Sequence, residues 1–270
     1  MVAVNGRHRL AILSFRITKM DYDRTEIAGL YDKARALLPQ TARLWLNLLS
    51  IHIGGTATSS LVVDLGCGTG RFSDLIATGL GVEVIGIDPS QKMIEQVRRK
   101  DPKGKVSYRQ APAEVLPLAD SCADLIFMSN VYHHLGNPAA AAAECYRVLR
   151  PSGHVCVRNS TRENDFPHRH FFPGLEALID SQLPSQDDIR RVFVDGGFTP
   201  VVQEKVRQVI APNWSSLVEK SGLRADSFLA RLADEDFEKG MAAFRSPGRS
   251  IDLDAPVTEE INWFVFTRNG

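Results

Sequence analysis

The chain has 270 residues, 44% hydrophobic and 24% charged, enough to bury one large core or a core with an appendage. Its 32 basic and 32 acidic side chains cancel, which gives no electrostatic reason to expect nucleic acid or an anionic membrane as partner. Cys67, Cys122, Cys145 and Cys156 form no C-x-x-C pair, so neither a zinc site nor a disulfide framework is signalled, as suits a cytoplasmic protein, and no apolar run approaches the ~20 residues that span a bilayer.

Residues 1–20 read as an N-terminal extension whose apolar stretch, Leu10 to Phe15, is too short for a secretory signal. From Leu61 onward strands and helices alternate. Leu61 to Leu65 is a buried strand ending at a glycine loop. Arg71 to Leu80 is a helix, Glu83 to Asp88 a strand, Ser90 to Lys100 a helix, and Val106 to Gln110 and Ala123 to Ser129 are strands. Pro138 to Leu149 is a helix stopped by Pro151 and Gly153, and His154 to Asn159 is a fifth strand. A helix opens at Ser185 with Asp188 at its acidic third position and closes at Gly196-Gly197. Thr199 to Ile210 alternates like a half-buried strand, Trp214 to Phe244 is helical in pattern, and Ile261 to Thr267 is a last strand. The alternation predicts an α/β fold with a doubly wound, mostly parallel sheet. Ligands of such sheets sit at the carboxyl ends of the strands, near the switch in strand order. Segments 160–184 and 211–255 are expected as lid or insert additions to one domain over 21–270.

The run VVDLGCGTGR, Val62 to Arg71, is the strongest chemical signal. Gly66, Gly68 and Gly70 follow a strand directly and open a helix, where glycine lets the backbone turn tightly and approach a ligand. A dinucleotide fingerprint is G-x-G-x-x-G; here the spacing is G-x-G-x-G, which weighs against a nicotinamide cofactor. Asp64 at this strand end suits a ligand carrying an ammonium group, or alternatively caps the turn. Asp88 ends the next strand, where it can accept hydrogen bonds from ribose hydroxyls or start the helix after Pro89.

At these residues the sequence resembles the class I S-adenosylmethionine-dependent methyltransferases, and more closely the family of the ubiquinone- and menaquinone-biosynthesis methyltransferases. The resemblance rests on VVDLGCGTG, GIDPSQKMIEQ, AEVLPLADSCADLIF, NVYHHL and ECYRVLRPSGHV, between Asp21 and Asn159. It implies a seven-stranded Rossmann-like sheet with an antiparallel last strand and a helical insertion. It also implies S-adenosylmethionine as cofactor. Asp64 and the loop Gly66, Cys67, Gly68, Gly70 would hold its methionine part, Asp88 and Pro89 the ribose, and Ala113 and Glu114 would flank the adenine. Asn130 would complete the site. Pro112 stands where the family often has an acidic residue for the adenine amine, so backbone groups near Ala113 are expected to serve there. Tyr31 and Arg35, in a segment resembling the family's N-terminal lid, would cover the cofactor and pair with its carboxylate.

Methyl transfer needs an in-line nucleophile and excluded water, with a base only where a proton must leave early. His133 and His134 follow the fourth strand, where the methyl group is expected; His133 is the candidate base and His134 the loop-fixing partner, the alternative being two histidines with packing roles. Phe166 to Pro173, with His168, Arg169 and His170, is a candidate substrate lid or a loop pinned by Phe171 and Phe172; no third metal ligand accompanies the two histidines. The expected function is methylation of a small-molecule acceptor, with no nucleic-acid or membrane partner. A protein or RNA methyltransferase and a non-catalytic cofactor-binding subunit are the alternatives. The pattern names neither the acceptor nor the atom methylated, and it leaves oligomeric state open.

Overall fold

A computed structural model describes residues 37–53, 60–100, 104–248 and 251–270. The extension 1–20, Tyr31 and Arg35 therefore lie outside the described residues. In chain order the elements are α1 (Pro39–Ser50), β1 (Leu61–Leu65), α2 (Arg71–Leu80), β2 (Glu83–Asp88), α3 (Gln91–Lys100), β3 (Ser107–Gln110), β4 (Ala123–Ser129), a 3-10 turn (Tyr132–His134), α4 (Pro138–Val148) and β5 (Leu149–Asn159). There follow α5 (Leu175–Gln182), α6 (Gln186–Asp195), β6 (Phe198–Ala211), α7 (Trp214–Gly222), a 3-10 turn (Leu229–Arg231), α8 (Asp234–Arg245) and β7 (Val257–Arg268).

The seven strands form one sheet in the order β3-β2-β1-β4-β5-β7-β6. β1 pairs parallel with β2 and β4, and β7 runs antiparallel to both β5 and β6. This is the expected doubly wound, mostly parallel Rossmann-like sheet with an antiparallel last strand. The order reverses between β1 and β4, so the loops after these two strands meet at one carboxyl edge.

Both sheet faces are covered, as parallel sheets require. One core packs β-strand residues such as Val63, Ile126 and Phe264 against Ala141 and Cys145 of α4 and Phe193 of α6. The other packs Val62, Phe127 and Trp263 against Trp45 of α1, Phe72 and Ile76 of α2, and Ile94 of α3. A third cluster belongs to the additions: Phe172, Leu175 and Ile179 bury against Trp214, Leu217, Phe237 and Phe244. The two inserted segments therefore share one core and cover each other's apolar faces.

Local chemistry sets the element ends. Ser185 and Asp188 form the expected reciprocal capping box of α6. Asn137 caps α4 by accepting from the Ala140 N–H at 3.1 Å, with Pro138 in the first turn. Two expectations shift, and a third element was not anticipated. β5 begins at Leu149, which pairs with Ala123, and passes Pro151 through an irregularity with Ser152 at φ 65. The helical pattern from Trp214 to Phe244 is broken after Gly222, where Arg224 adopts φ 49. The Arg224 side chain holds the break: it donates to the Leu229 carbonyl at 3.1 Å and to Asp234 at 2.6 Å, with its guanidinium 4.5 Å from the Phe237 ring centre. The third is α1, whose buried Thr41, Trp45 and Leu49 recur at helical spacing before the first strand. No helix among the described residues is long and apolar enough to cross a membrane.

Candidate active site

The loops after β1 and β4 touch. A Cβ on Gly66 would fall 2.3 Å from Val131 Cγ2, and Gly66 turns at φ 73, so this position needs glycine on both counts. Gly68, at φ 55, is the opposite case: among the described residues a Cβ there would meet nothing within 4 Å. The loop is thus closed by protein at Gly66 and presents bare backbone to open space at Gly68. Gly70, also left-handed, caps α2. Cys67 is buried between them, and the N–H groups of Gly66 and Cys67 donate to the Ile87 carbonyl at 2.7 and 3.0 Å. Burial pushes its thiol well above the usual range, so Cys67 stays protonated.

Asp64 and Asp88 flank the loop. Asp88 Oδ2 accepts from the Gly68 N–H at 2.9 Å and Oδ1 from the Ser90 N–H at 2.9 Å. One carboxylate thereby braces the glycine loop and starts the chain into α3, where Ser90 Oγ accepts from the Met93 N–H at 3.2 Å. Asp64 is 2% exposed, and its Oδ2 accepts from the Ser73 hydroxyl at 2.5 Å. Burial pushes its carboxyl up to about 6, against the pull of the Ser73 hydrogen bond and the Arg71 charge. A carboxylate so enclosed would act on a ligand above the loop chiefly through its charge.

Pro89 is exposed and its carbonyl accepts from Gln110 Nε2 at 3.1 Å. Ala113 is buried in the first sheet core. Glu114 Oε1 accepts from the Asn137 N–H at 2.8 Å, at the turn that enters α4.

Asn130 turns the chain at φ 57 as it leaves β4. Its N–H donates to the Arg158 carbonyl at 2.7 Å and its Oδ1 accepts from the Ser160 N–H at 3.0 Å, tying together the ends of β4 and β5. Tyr132 then anchors the 3-10 turn: its N–H donates to Asn159 Oδ1 at 3.2 Å and its hydroxyl to the Asp188 carbonyl at 3.0 Å. Burial raises the Tyr132 phenol to about 12, so it stays protonated. The His133 and His134 rings lie 4.1 Å apart on this turn.

A cavity opens beside the turn. Asn130, His133, His134 and Ser160 line it from the sheet edge. Phe166, His168 and Ile179 line it from the first inserted segment, and Asp226, Ser227 and Phe228 from the second, with Glu259 from β7. Within the 166–173 run, His168 faces this cavity while the His170 side chain is exposed, 3.7 Å from Asp165. Arg169 is a structural staple: it donates to the carbonyls of Arg162 and Asn164 at 3.0 and 2.9 Å and to Asp180 at 3.0 Å. Phe172 is buried and Phe171 packs against Trp214 and Phe244. Of the residues marked in the sequence, Asn130, His133, His134, Phe166 and His168 thus come together. Asp226, Phe228 and Glu259 carried no motif; they join the cavity through chain breaks and strand register.

The methyltransferase domain family matches residues 63–157, from within β1 to within β5. The chain is 27% identical over 191 residues to the O-methyltransferase cnsE of Penicillium expansum, covering 68% of this chain and 69% of that one. It is 27% identical over 199 residues to the 27-O-demethylrifamycin SV methyltransferase of Amycolatopsis mediterranei, covering 68% of this chain and 71% of that one. It spans 61% of the length of two mycobacterial relatives. An N-methyltransferase of Haemonchus contortus, solved with phosphomonomethylethanolamine and S-adenosylhomocysteine, shares the fold at a TM-score of 0.59 and 18% identity, covering 90% of this chain and 57% of that one. Together these matches support a class I S-adenosylmethionine-dependent methyltransferase. The residues present fit that cofactor: bare backbone faces open space at Gly68, and the Asp88 carboxylate stands beside it at the end of β2.

Proposed function

We propose that the chain methylates a small-molecule acceptor held in the cavity between the Tyr132–His134 turn and segments 160–184 and 211–255, which act as its lid. The observation that carries this reading is the cavity itself, where two segments distant in sequence close over the turn after β4, beside the glycine loop. A cavity partly closed by two inserted segments suits a small acceptor better than a protein or RNA strand, which would need an open groove. The O-methyltransferases among the relatives point the same way.

The Gly66–Gly70 loop with Asp64 and Asp88 would hold the methionine and ribose parts of the cofactor, and the stretch at Ala113 the adenine; Tyr31 and Arg35 would cover it. When bound, S-adenosylmethionine supplies a methyl group on a positively charged sulfur, already activated for displacement. The chain's own work is to hold the acceptor in line and exclude water. His133 accepts the proton of a hydroxyl acceptor, and His134 holds the turn.

The test is calorimetric titration with S-adenosylhomocysteine and with NAD, followed by labelled methyl transfer onto panels of phenols, proteins and RNA. Binding of the first ligand and transfer onto small molecules are expected. Transfer confined to protein or RNA would replace the acceptor reading, and binding of NAD alone would remove the methyltransferase reading.

A further inference from the structure

Acidic side chains line the cavity wall. Its formally charged side chains, histidine aside, are Asp226 and Glu259, and among the described residues no lysine or arginine lines it. Asp226 serves its own turn: Oδ1 accepts from the N–H groups of Phe228 and Leu229 at 2.8 and 3.3 Å.

Glu259 is held differently. It stands opposite Gln208 in the β6–β7 ladder, and Gln208 Nε2 donates to its Oε1 at 2.8 Å. Gln208 is 3% exposed, and its own Oε1 accepts from Trp45 Nε1 at 2.7 Å and from Arg158 Nη2 at 3.1 Å. Two donors on one oxygen decide which end of the amide is which, so its NH2 group must face Glu259. Arg158 is 3% exposed, with its guanidinium 4.9 Å from the Trp45 ring centre and Nη1 donating to Ser129 Oγ at 3.0 Å. A line of buried polar groups from α1, β5 and β6 therefore ends on one carboxylate at the cavity wall. Desolvating such a network is costly, and apolar side chains would fill the same space at less cost. The Gln208 bond engages only one of the two carboxylate oxygens.

We infer that Glu259 is the anchor for the acceptor, and that the acceptor presents to it a cationic hydrogen-bond donor, an ammonium, with no anionic group at that end. Gln208 is the positioning residue for this carboxylate. The inference rests on the reading of the cavity as the acceptor site. Phe166 and Phe228 supply the apolar walls for the acceptor's skeleton, and their ring faces favour a cation over an anion.

A matched pair of catechols tests it: dopamine and 3,4-dihydroxyphenylacetate share a ring and differ in the sign of the side-arm charge. Each is titrated by ligand-observed NMR into the full chain saturated with S-adenosylhomocysteine. The amine is expected to bind at least about tenfold more tightly than the acid. Glu259→Gln should bring that ratio within about threefold, and Glu259→Asp should keep the preference. Gln208→Leu leaves the carboxylate but frees it to swing, and should lower the ratio part of the way. Equal or tighter binding of the acid, binding of neither catechol, or an unchanged ratio in Glu259→Gln overturns the inference. Affinity for S-adenosylhomocysteine is read in the same samples, so failure of the methyltransferase reading is seen separately.

Discussion

The Asp88 carboxylate holds the Gly68 N–H at 2.9 Å, so the group at the end of β2 shapes the glycine loop that follows β1. Its other oxygen takes the Ser90 N–H. Removing Asp88 therefore strips a charge from the site and also frees the glycine loop. Hydrogen bonds to charged groups are worth about 1.5–3 kcal/mol each. Asp88→Ala should weaken S-adenosylhomocysteine by at least roughly tenfold in a calorimetric titration. A loss under about twofold would assign Asp88 to the start of α3 alone.

Gly66 and Gly68 should respond differently to the same change. Gly66→Ala drives a methyl group to 2.3 Å from Val131 Cγ2, so the fold must give way and the melting temperature should fall by several degrees. Gly68→Ala adds a methyl group in open space and costs only the left-handed backbone penalty, about 1 kcal/mol. Its main effect should be on cofactor affinity. Thermal melts with and without S-adenosylhomocysteine separate the two; equal behaviour would place Gly68 away from the ligand.

Asp64 carries a stability cost that its pH dependence exposes. Its folded pKa of about 6 lies above the ordinary 3.8, so the folded chain holds this proton more tightly than the unfolded one. Its contribution to stability is complete below about pH 4 and is lost as pH rises through 6. Asp64→Asn should therefore melt higher than wild type at pH 8, with the gap closing toward pH 5. The variant should also bind the positively charged cofactor more weakly. A lower melting temperature at pH 8 would contradict the burial argument.

The His52 and His154 rings lie 5.4 Å apart, and burial of both, with their mutual repulsion at His52, holds their pKa values below the ordinary 6.5. The stability that comes from keeping this pair neutral is complete above about pH 6.5 and is lost as pH falls below it. Urea unfolding between pH 5 and 8 should show this loss, and His154→Gln should flatten the slope. An equal slope in the variant would move the acid sensitivity to other groups.

His133 lines the cavity on the turn anchored by Tyr132. If a hydroxyl proton must leave, His133→Ala should lower turnover by roughly 10²–10⁴ and leave cofactor binding intact. His134→Ala should act through the stability of the turn. The pH dependence of turnover in wild type and in His133→Ala is the measurement. An unaltered profile and rate would leave a methyltransferase that works by positioning alone.

Much of this protein is local chemistry. The glycine spacing after LVVDL, the carboxylate ending EVIGID and the Ser185–Asp188 cap each depend on residues a few positions apart, and all can be read from the chain alone. The alternation of strands and helices gave the sheet for the same reason. Helix α1 is encoded as locally, by Pro39 and the four-residue spacing of Thr41, Trp45 and Leu49. What the tertiary structure alone decided is pairing at a distance. Gln208 meets Glu259 across 51 residues and Arg158 across 50, and Trp45 reaches Gln208 across 163. Such contacts follow from strand register and from which helix covers which sheet face. A one-residue slip of β6 against β7 would turn Gln208 to the other side while leaving its sequence neighbourhood unchanged.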